Sequence, residues 1–161
     1  MNVYLFVKTT HILSSVLLVG TGFGSAFYLF FIHRTRSVNA IAAVSRLVVR
    51  ADWWFTTPTI IFQMLSGLWL AHAAGWPWET PWIVATIALY GVAGACWLPV
   101  VWLQIQLARM ARQAADNGDE TLPKRYWQYA QIWEWLGYPA FAAMLVVYFL
   151  MVFKPVSLGS F

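Results

Sequence analysis

Four apolar runs, each about as long as a bilayer is thick, occupy most of this sequence and constrain its fold more than any other feature. A helix needs roughly 20 apolar residues to cross a hydrocarbon core of about 30 Å. The sequence is 61% hydrophobic and 10% charged over 161 residues, a balance too apolar for a water-soluble surface. We therefore predict an all-α integral membrane protein, a four-transmembrane-helix bundle whose partner is the lipid bilayer.

The predicted helices fill the chain, which we treat as a single membrane domain over residues 1–161. The four spans are predicted at 3–32, 53–74, 82–107 and 126–153. Between helices 1 and 2, residues 38–52 combine a row of apolar positions with Arg46 and Arg50. This pattern predicts an additional interfacial amphipathic helix. Pro99 predicts a kink in the third span.

The positions of the basic residues predict the orientation in the membrane. Eight of the ten Lys and Arg residues flank the first and third connections, namely Arg34, Arg36, Arg46, Arg50, Arg109, Arg112, Lys124 and Arg125. Such residues favour the cytoplasmic side, so both termini are expected on the outer, periplasmic side of a bacterial inner membrane. Because the charge is split between two connections, we expect no nucleic acid as a partner.

His11 is the first candidate for chemistry, because a polar group inside a span needs either a partner or a function. At about 100° per residue it shares a helix face with Ser15, Leu18, Gly22 and Ser25. This small and partly polar face should point into the bundle. Two interpretations stay open: a neutral histidine hydrogen-bonded to a carbonyl or serine, or a ligand to a metal such as haem iron.

Five further residues are candidates for contact with a bound cofactor: His72, Met64, Tyr90, Met144 and Gly22, which lies on the helix face of His11. His72 lies on the same side of the membrane as His11, but roughly 9 Å nearer the surface on a straight-helix estimate. Met64, Tyr90 and Met144 come closer to the depth of His11. Each of these three is otherwise explained as ordinary packing in an apolar bundle.

Glu134 is the only acidic residue well inside a predicted span. It is either paired with Arg46 or Arg50, or a proton-transfer group, since intramembrane carboxylates are costly and often functional. It is therefore the one catalytic candidate. Cys96 is the only cysteine, which excludes an intrachain disulfide and a paired-cysteine haem-attachment motif.

The order of several short motifs resembles a known family. The run Lys8-Thr9-Thr10-His11-Ile12, then Gly22 through Phe31 and a closing His33, resembles the first helix of the HemJ-type protoporphyrinogen oxidases. The resemblance continues in Thr57-Pro58 through Gly67-Leu68-Trp69-Leu70, and in the Lys154-Pro155 ending. Within that group, the sequence is similar to a family of small bacterial integral membrane proteins defined by a domain of unknown function. The HemJ-type pattern has an essential lysine early in the third helix, whereas residues 82–89 contain none.

The resemblance implies a haem-b-binding membrane protein with a redox or haem-handling role, in which His11 is a ligand to the haem iron. Haem or a porphyrin is then the implied small-molecule partner. One alternative is an enzyme like protoporphyrinogen oxidase, although the missing lysine is part of that family's chemistry. The other is a cofactor-free small transporter or accessory subunit. The spacing of Gly20 and Gly24 also fits a homo-oligomer.

Overall fold

The computed structural model describes residues 2–155, and every regular element within them is helical. The helices are α1 (Val3–Thr35), α2 (Val38–Ala51), α3 (Thr57–Ala73), α4 (Pro81–Asp116) and α5 (Lys124–Phe153). A π-helical turn, Asp52–Thr56, joins α2 to α3. The predicted all-helical class is therefore confirmed for this part of the chain.

Three of these helices, α1, α4 and α5, are long and apolar enough to cross a membrane. By itself α3 has 17 residues, slightly fewer than the roughly 20 that a span needs. Three of the four predicted spans thus have the required length and composition. That the second predicted span, residues 53–74, crosses the membrane stays a prediction.

The surface of the helices is apolar while polar side chains are buried, the reverse of a soluble protein. Phe6 on α1 and Val152 on α5 are 53% and 75% exposed. In contrast, Gln63, Ser66 and Gln104 are buried. In lipid an exposed apolar side chain has no water to avoid, whereas a polar one needs partners inside the bundle. This distribution indicates that the helices face lipid.

The predicted ends agree with the structure within a few residues except at α4. The apolar run predicts an end at Leu107, but the helix continues to Asp116. Ala111 and Ala114, within this extension, are buried in a cluster that includes α2 residues. The extension is therefore an amphipathic helix too polar to be recognised as part of a span. Pro99 lies inside α4, which continues as one helix on both sides of it.

The predicted interfacial helix is present as α2, but the chain does not break between it and the next helix. Pro58 explains the π turn at the junction, because proline has no N–H to donate and crowds the carbonyl of the preceding turn. The N–H of Thr57 bonds instead to the carbonyl of Asp52, five residues back. The predicted start of helix 2 at residue 53 therefore falls inside a continuous helix. The position of α2 at the membrane interface stays a prediction.

The long helices pack as two pairs, α1 with α3 and α4 with α5, while α2 packs against both α1 and α4. The Tyr90 hydroxyl donates to the carbonyl of Ile60 at 2.8 Å, and Gln104 lies beside Asp52. Since the residue numbers rise along α4 as they fall along α3 and α2, α4 is antiparallel to them. Away from α2, the two pairs leave a space between them.

A buried cluster holds the helices together at the end formed by the connections 36–37 and 117–123, which we call the basic end. Tyr126 of α5 is 0% exposed and belongs to the same cluster as Leu29 of α1 and Leu107 of α4. Its hydroxyl lies 2.8 Å from Nε2 of His33. His33 is thus part of a buried contact between α1 and α5.

Candidate functional site

A cavity of about 410 Å³ lies between α1 on one side and α4 and α5 on the other. Glycines face it from all three helices: Gly22, Gly94 and Gly137. A Cβ atom added to any of them would meet no neighbouring atom within 4 Å. The cavity exists because residues without side chains leave the space between the helices unfilled.

The wall of the cavity extends to the surface of the helix bundle between α1 and α5. Phe23 and Tyr138, which line it, are 56% and 59% exposed. The ring of Phe23 lies against that of Phe141 on α5, with 5.4 Å between the centroids. Most of the remaining wall is apolar or aromatic, including Trp97 of α4. A molecule dissolved in the bilayer would therefore meet an apolar entrance.

Four of the residues predicted as site residues line this cavity: Gly22, Tyr90, Glu134 and Met144. They come from three different helices, so the structure brings them together across long distances in sequence. Tyr90 also has a packing role, because its hydroxyl donates to a carbonyl of α3. His11, the central residue of the sequence prediction, is not part of the wall.

His11 instead packs against α3. Its Nδ1 lies 2.7 Å from the Ser66 hydroxyl oxygen, and its carbonyl accepts a hydrogen bond of 2.6 Å from Nε2 of Gln63. Gly67 provides the room for the imidazole ring, since a Cβ there would lie 3.2 Å from Cε1 of His11. These contacts join α1 to α3 and match the structural interpretation, a histidine hydrogen-bonded to a serine.

The Ser66 hydroxyl determines which nitrogen of His11 carries the proton. It donates to the carbonyl of Phe62, one turn earlier in α3. We therefore assign the other contact as a donation from Nδ1–H of His11 to the Ser66 oxygen. This leaves Nε2 with its lone pair, which is the form in which histidine binds a metal. The tautomer fits both interpretations of His11.

His72 and Met64 lie away from His11. His72 is exposed near the end of α3, and its ring stacks on that of Trp78 at 6.4 Å. Met64 is 53% exposed and lies about 200° around the helix from Ser66. Neither side chain joins His11 or the cavity wall in the structure.

Glu134 is hydrogen-bonded within its own helix. The Tyr138 hydroxyl donates to Oε1 of Glu134 at 2.8 Å. The predicted ion pair with Arg46 or Arg50 does not form, and the one ion pair within residues 2–155 lies inside α4. The prediction was wrong because Glu134 lines the space between the helix pairs, not the contact with α2. Its role in proton transfer stays a prediction.

Two polar residues of the wall, Asp52 and Gln104, were not candidates from the sequence. Both are 5% exposed and line the cavity beside the π turn. The Thr56 hydroxyl donates to Oδ1 of Asp52 at 3.0 Å, but Oδ2 of Asp52 and Oε1 of Gln104 have no hydrogen-bond partner among the described residues. Burial raises the pKa of Asp52 to about 6, against the opposing effect of the Thr56 hydrogen bond. Unpartnered groups of this kind are costly and call for an explanation.

The sequence carries a signal for one of these two residues. Gln104 lies in an apolar run, so the rule that selects Glu134, that a polar group inside a span needs a partner or a function, applies equally to it. Asp52 gives no such signal, because it falls at the predicted boundary between a surface helix and a span, where an exposed carboxylate is expected.

Three apolar helices of membrane length, a lipid-facing surface and an internal cavity define an all-helical integral membrane protein. The family model of predicted integral membrane proteins (DUF2269) matches residues 5–155. The chain therefore belongs to this family, which confirms the expected membership of a membrane family defined by a domain of unknown function. No curated protein and no solved structure matches the sequence. The resemblance to the HemJ-type oxidases stays a prediction.

Proposed function

We propose that this protein binds a lipophilic ligand, taken from the bilayer, in the cavity between α1, α4 and α5. The cavity itself carries the proposal. Its volume of about 410 Å³ falls within the range of roughly 300–1,000 Å³ typical of ligand pockets. Its apolar wall reaches a surface that faces lipid, and a few polar groups converge at one end, as in pockets that orient a ligand.

The proposal includes a topology of four crossings. The ends of α1 and α4 both lie at the basic end, where Leu29 and Leu107 share one cluster. If α1 and α4 cross the bilayer in the same direction, the chain between them must cross it in the opposite direction. The continuous α2–α3 helix is the part of the chain that can make this crossing. The Lys and Arg residues at the basic end support a cytoplasmic location for it, with α2 at the level of the lipid headgroups and both termini outside.

Replacing Gly22 by phenylalanine should block the cavity. The new side chain enters space in which a Cβ meets no atom within 4 Å, so the fold should tolerate it while the ligand is displaced. The matched control is Gly20→Phe, because Gly20 lies on the same helix, has equally open surroundings and does not line the cavity. The probe is naphthylmethanol, an uncharged aromatic alcohol. We expect its affinity for the protein to fall by about tenfold or more in Gly22→Phe and to stay unchanged in Gly20→Phe.

The measurement is equilibrium binding of naphthylmethanol to the protein in nanodiscs of zwitterionic lipid, with empty nanodiscs as the reference for partition into lipid. Saturable binding above this reference supports the cavity as a ligand site. The proposal is contradicted if protein-containing and empty nanodiscs take up the same amount, or if both glycine variants bind like the wild type.

A second candidate function is binding of haem b through His11, with a redox or haem-handling role. The observation that favours it is the contact of 2.7 Å between Nδ1 of His11 and the Ser66 hydroxyl oxygen, from which we assign the proton to Nδ1 and the lone pair to Nε2. In metal sites the second ring nitrogen of a ligating histidine is commonly fixed by such a hydrogen bond. Ser66 would orient the ring and Gly67 would leave it room, while bound haem would supply one-electron chemistry.

An absorption spectrum tests the haem candidate. Protein purified from haem-replete cells should show a Soret band, and His11→Ala should abolish it. Ser66→Ala should weaken it by releasing the ring. His72→Ala and Met64→Ala are the matched variants, because neither residue contacts His11. Each should leave the Soret band unchanged, unless the residue removed is the second ligand of the haem iron. Absence of the band after haem is added would remove this candidate and leave the cofactor-free binding protein.

A further inference from the structure

Two residues that line the cavity at the π turn, Asp52 and Gln104, each carry a hydrogen-bond acceptor without a donor. Oδ2 of Asp52 and Oε1 of Gln104 are both buried and without a partner among the described residues. The bond from Thr56 to the other oxygen of Asp52 fixes the orientation of the carboxylate. A buried acceptor that lacks a donor is costly. This end of the cavity is thus arranged for a group that brings donors with it.

The charged residues that line the cavity all have one sign. The described cavity wall includes two carboxylates, Asp52 and Glu134, and no Lys, Arg or His. The guanidinium of Arg34 lies over the rings of Phe30 and Phe31, two residues of the wall, at 4.1 and 5.3 Å from their centroids, but Arg34 itself does not line the cavity. A positive charge in the cavity would therefore be attracted and would meet no cation of the wall.

The rest of the wall suits a cation that is also apolar. Aromatic rings face the cavity from all three helices, including Phe27 of α1, Trp97 of α4 and Trp133 of α5. Faces of aromatic rings attract cations, most strongly where water is excluded. The same rings provide the apolar surface that a ligand from the bilayer requires.

We propose that the ligand of this cavity is a lipophilic ammonium, whose N–H groups donate to Asp52 and Gln104 while its apolar part lies among the aromatic rings. The assignment rests on the proposed function, because it names the class of ligand that the cavity takes. It does not depend on haem, since His11 is outside the wall. Asp52 binds the ammonium directly, and Thr56 positions Asp52.

The test compares three probes that share one ring system and differ in charge. Naphthylmethylammonium, neutral naphthylmethanol and anionic naphthoate are titrated against the protein in nanodiscs of zwitterionic lipid at about pH 8, where a carboxyl group with a pKa near 6 is ionised. We expect the ammonium to bind at least about tenfold more tightly than the alcohol, and naphthoate to bind least, as for a charge-assisted hydrogen bond.

Asp52→Asn should remove the preference for the ammonium while leaving the binding of the alcohol, because the volume and the apolar wall are kept. Gln104→Leu should lower ammonium binding several-fold. The matched control is Asp116→Asn, which removes an exposed carboxylate at the end of α4 and should have no effect.

The outcomes separate the two proposals. Equal binding of ammonium and alcohol would overturn the ammonium assignment and leave the cavity as a site for neutral ligands. A preference that survives Asp52→Asn would overturn the role of Asp52. Binding of none of the probes above empty nanodiscs would overturn both the assignment and the proposed function.

Discussion

Tyr126→Ala is expected to lower the free energy of unfolding by about 3–5 kcal/mol, the usual cost of removing a large aromatic side chain from a core. Tyr126 is 0% exposed and shares a cluster with Leu29 of α1, Ile41 of α2 and Leu107 of α4. Its hydroxyl lies 2.8 Å from Nε2 of His33. The substitution opens a cavity where four helices meet and leaves the imidazole without this partner.

Thermal unfolding in detergent, followed by circular dichroism, measures this effect. Tyr126→Phe keeps the ring and should lose only about 1 kcal/mol, the contribution of one hydrogen bond. Tyr129→Ala, one turn further along α5 at a partly exposed position, is the matched control and should lose less than Tyr126→Ala. Because Tyr129 packs against the edge of the same cluster, equal losses at the two positions would contradict the larger stabilising role of the fully buried Tyr126.

Asp52→Asn is expected to have the opposite effect and to stabilise the protein by about 1–3 kcal/mol at neutral pH, the range for an unsatisfied buried polar group. Asparagine keeps an oxygen for the Thr56 hydroxyl and adds an NH₂ group beside Gln104, whose Oε1 lacks a donor. A residue that lowers stability and orients a ligand is a common compromise in binding sites. The variant should therefore be more stable and bind the ammonium less.

The pH dependence of this stabilisation follows from the raised pKa of Asp52, about 6 in the folded protein against 3.8 for an unperturbed aspartate. Because the folded state holds the proton more tightly, the wild type loses stability as the pH rises from about 4 to 7. The advantage of Asp52→Asn should be full above pH 7 and shrink as the pH falls toward 4. Unfolding midpoints of both proteins across this range measure it. An advantage that does not change with pH would exclude a buried, titrating carboxyl as its cause.

The sequence predicts the helices of this fold well where composition alone decides them. The apolar runs identify α1, α4 and α5, because a span needs only a continuous apolar stretch. The same criterion ends the third helix at Leu107, nine residues before Asp116. The extension is held by tertiary packing of Ala111 and Ala114, and a hydropathy pattern does not contain that information.

The junction of α2 and α3 shows a second limit. Pro58 lies at this junction, and proline permits either the start of a new helix or a continuous helix with a changed hydrogen-bond ladder. In the structure the helix is continuous, and its hydrogen-bond ladder changes at the π turn Asp52–Thr56. At this junction α2 packs against α4, and Asp52 lies beside Gln104, an arrangement that one proline in the sequence does not specify.

The candidate site was predictable only in part for a similar reason. Gly22, Tyr90, Glu134 and Met144 are polar, small or flexible residues inside spans, so each is visible in the sequence, and the structure places them in one wall. The importance of Asp52 is different, because it depends on the absence of a hydrogen-bond partner. Such an absence is a property of the assembled helices and cannot be read from spacing.

Photolabelling tests most directly whether a ligand enters the cavity from the bilayer. A naphthyl diazirine is irradiated with the protein in nanodiscs, and the modified peptides are mapped by mass spectrometry. We predict saturable labelling around Phe23, Phe141 and Met144 that Gly22→Phe removes and Gly20→Phe does not. Labelling that never saturates and follows lipid exposure alone, as strong at Phe6 and Val152 as at the cavity wall, would contradict entry of a ligand into the cavity.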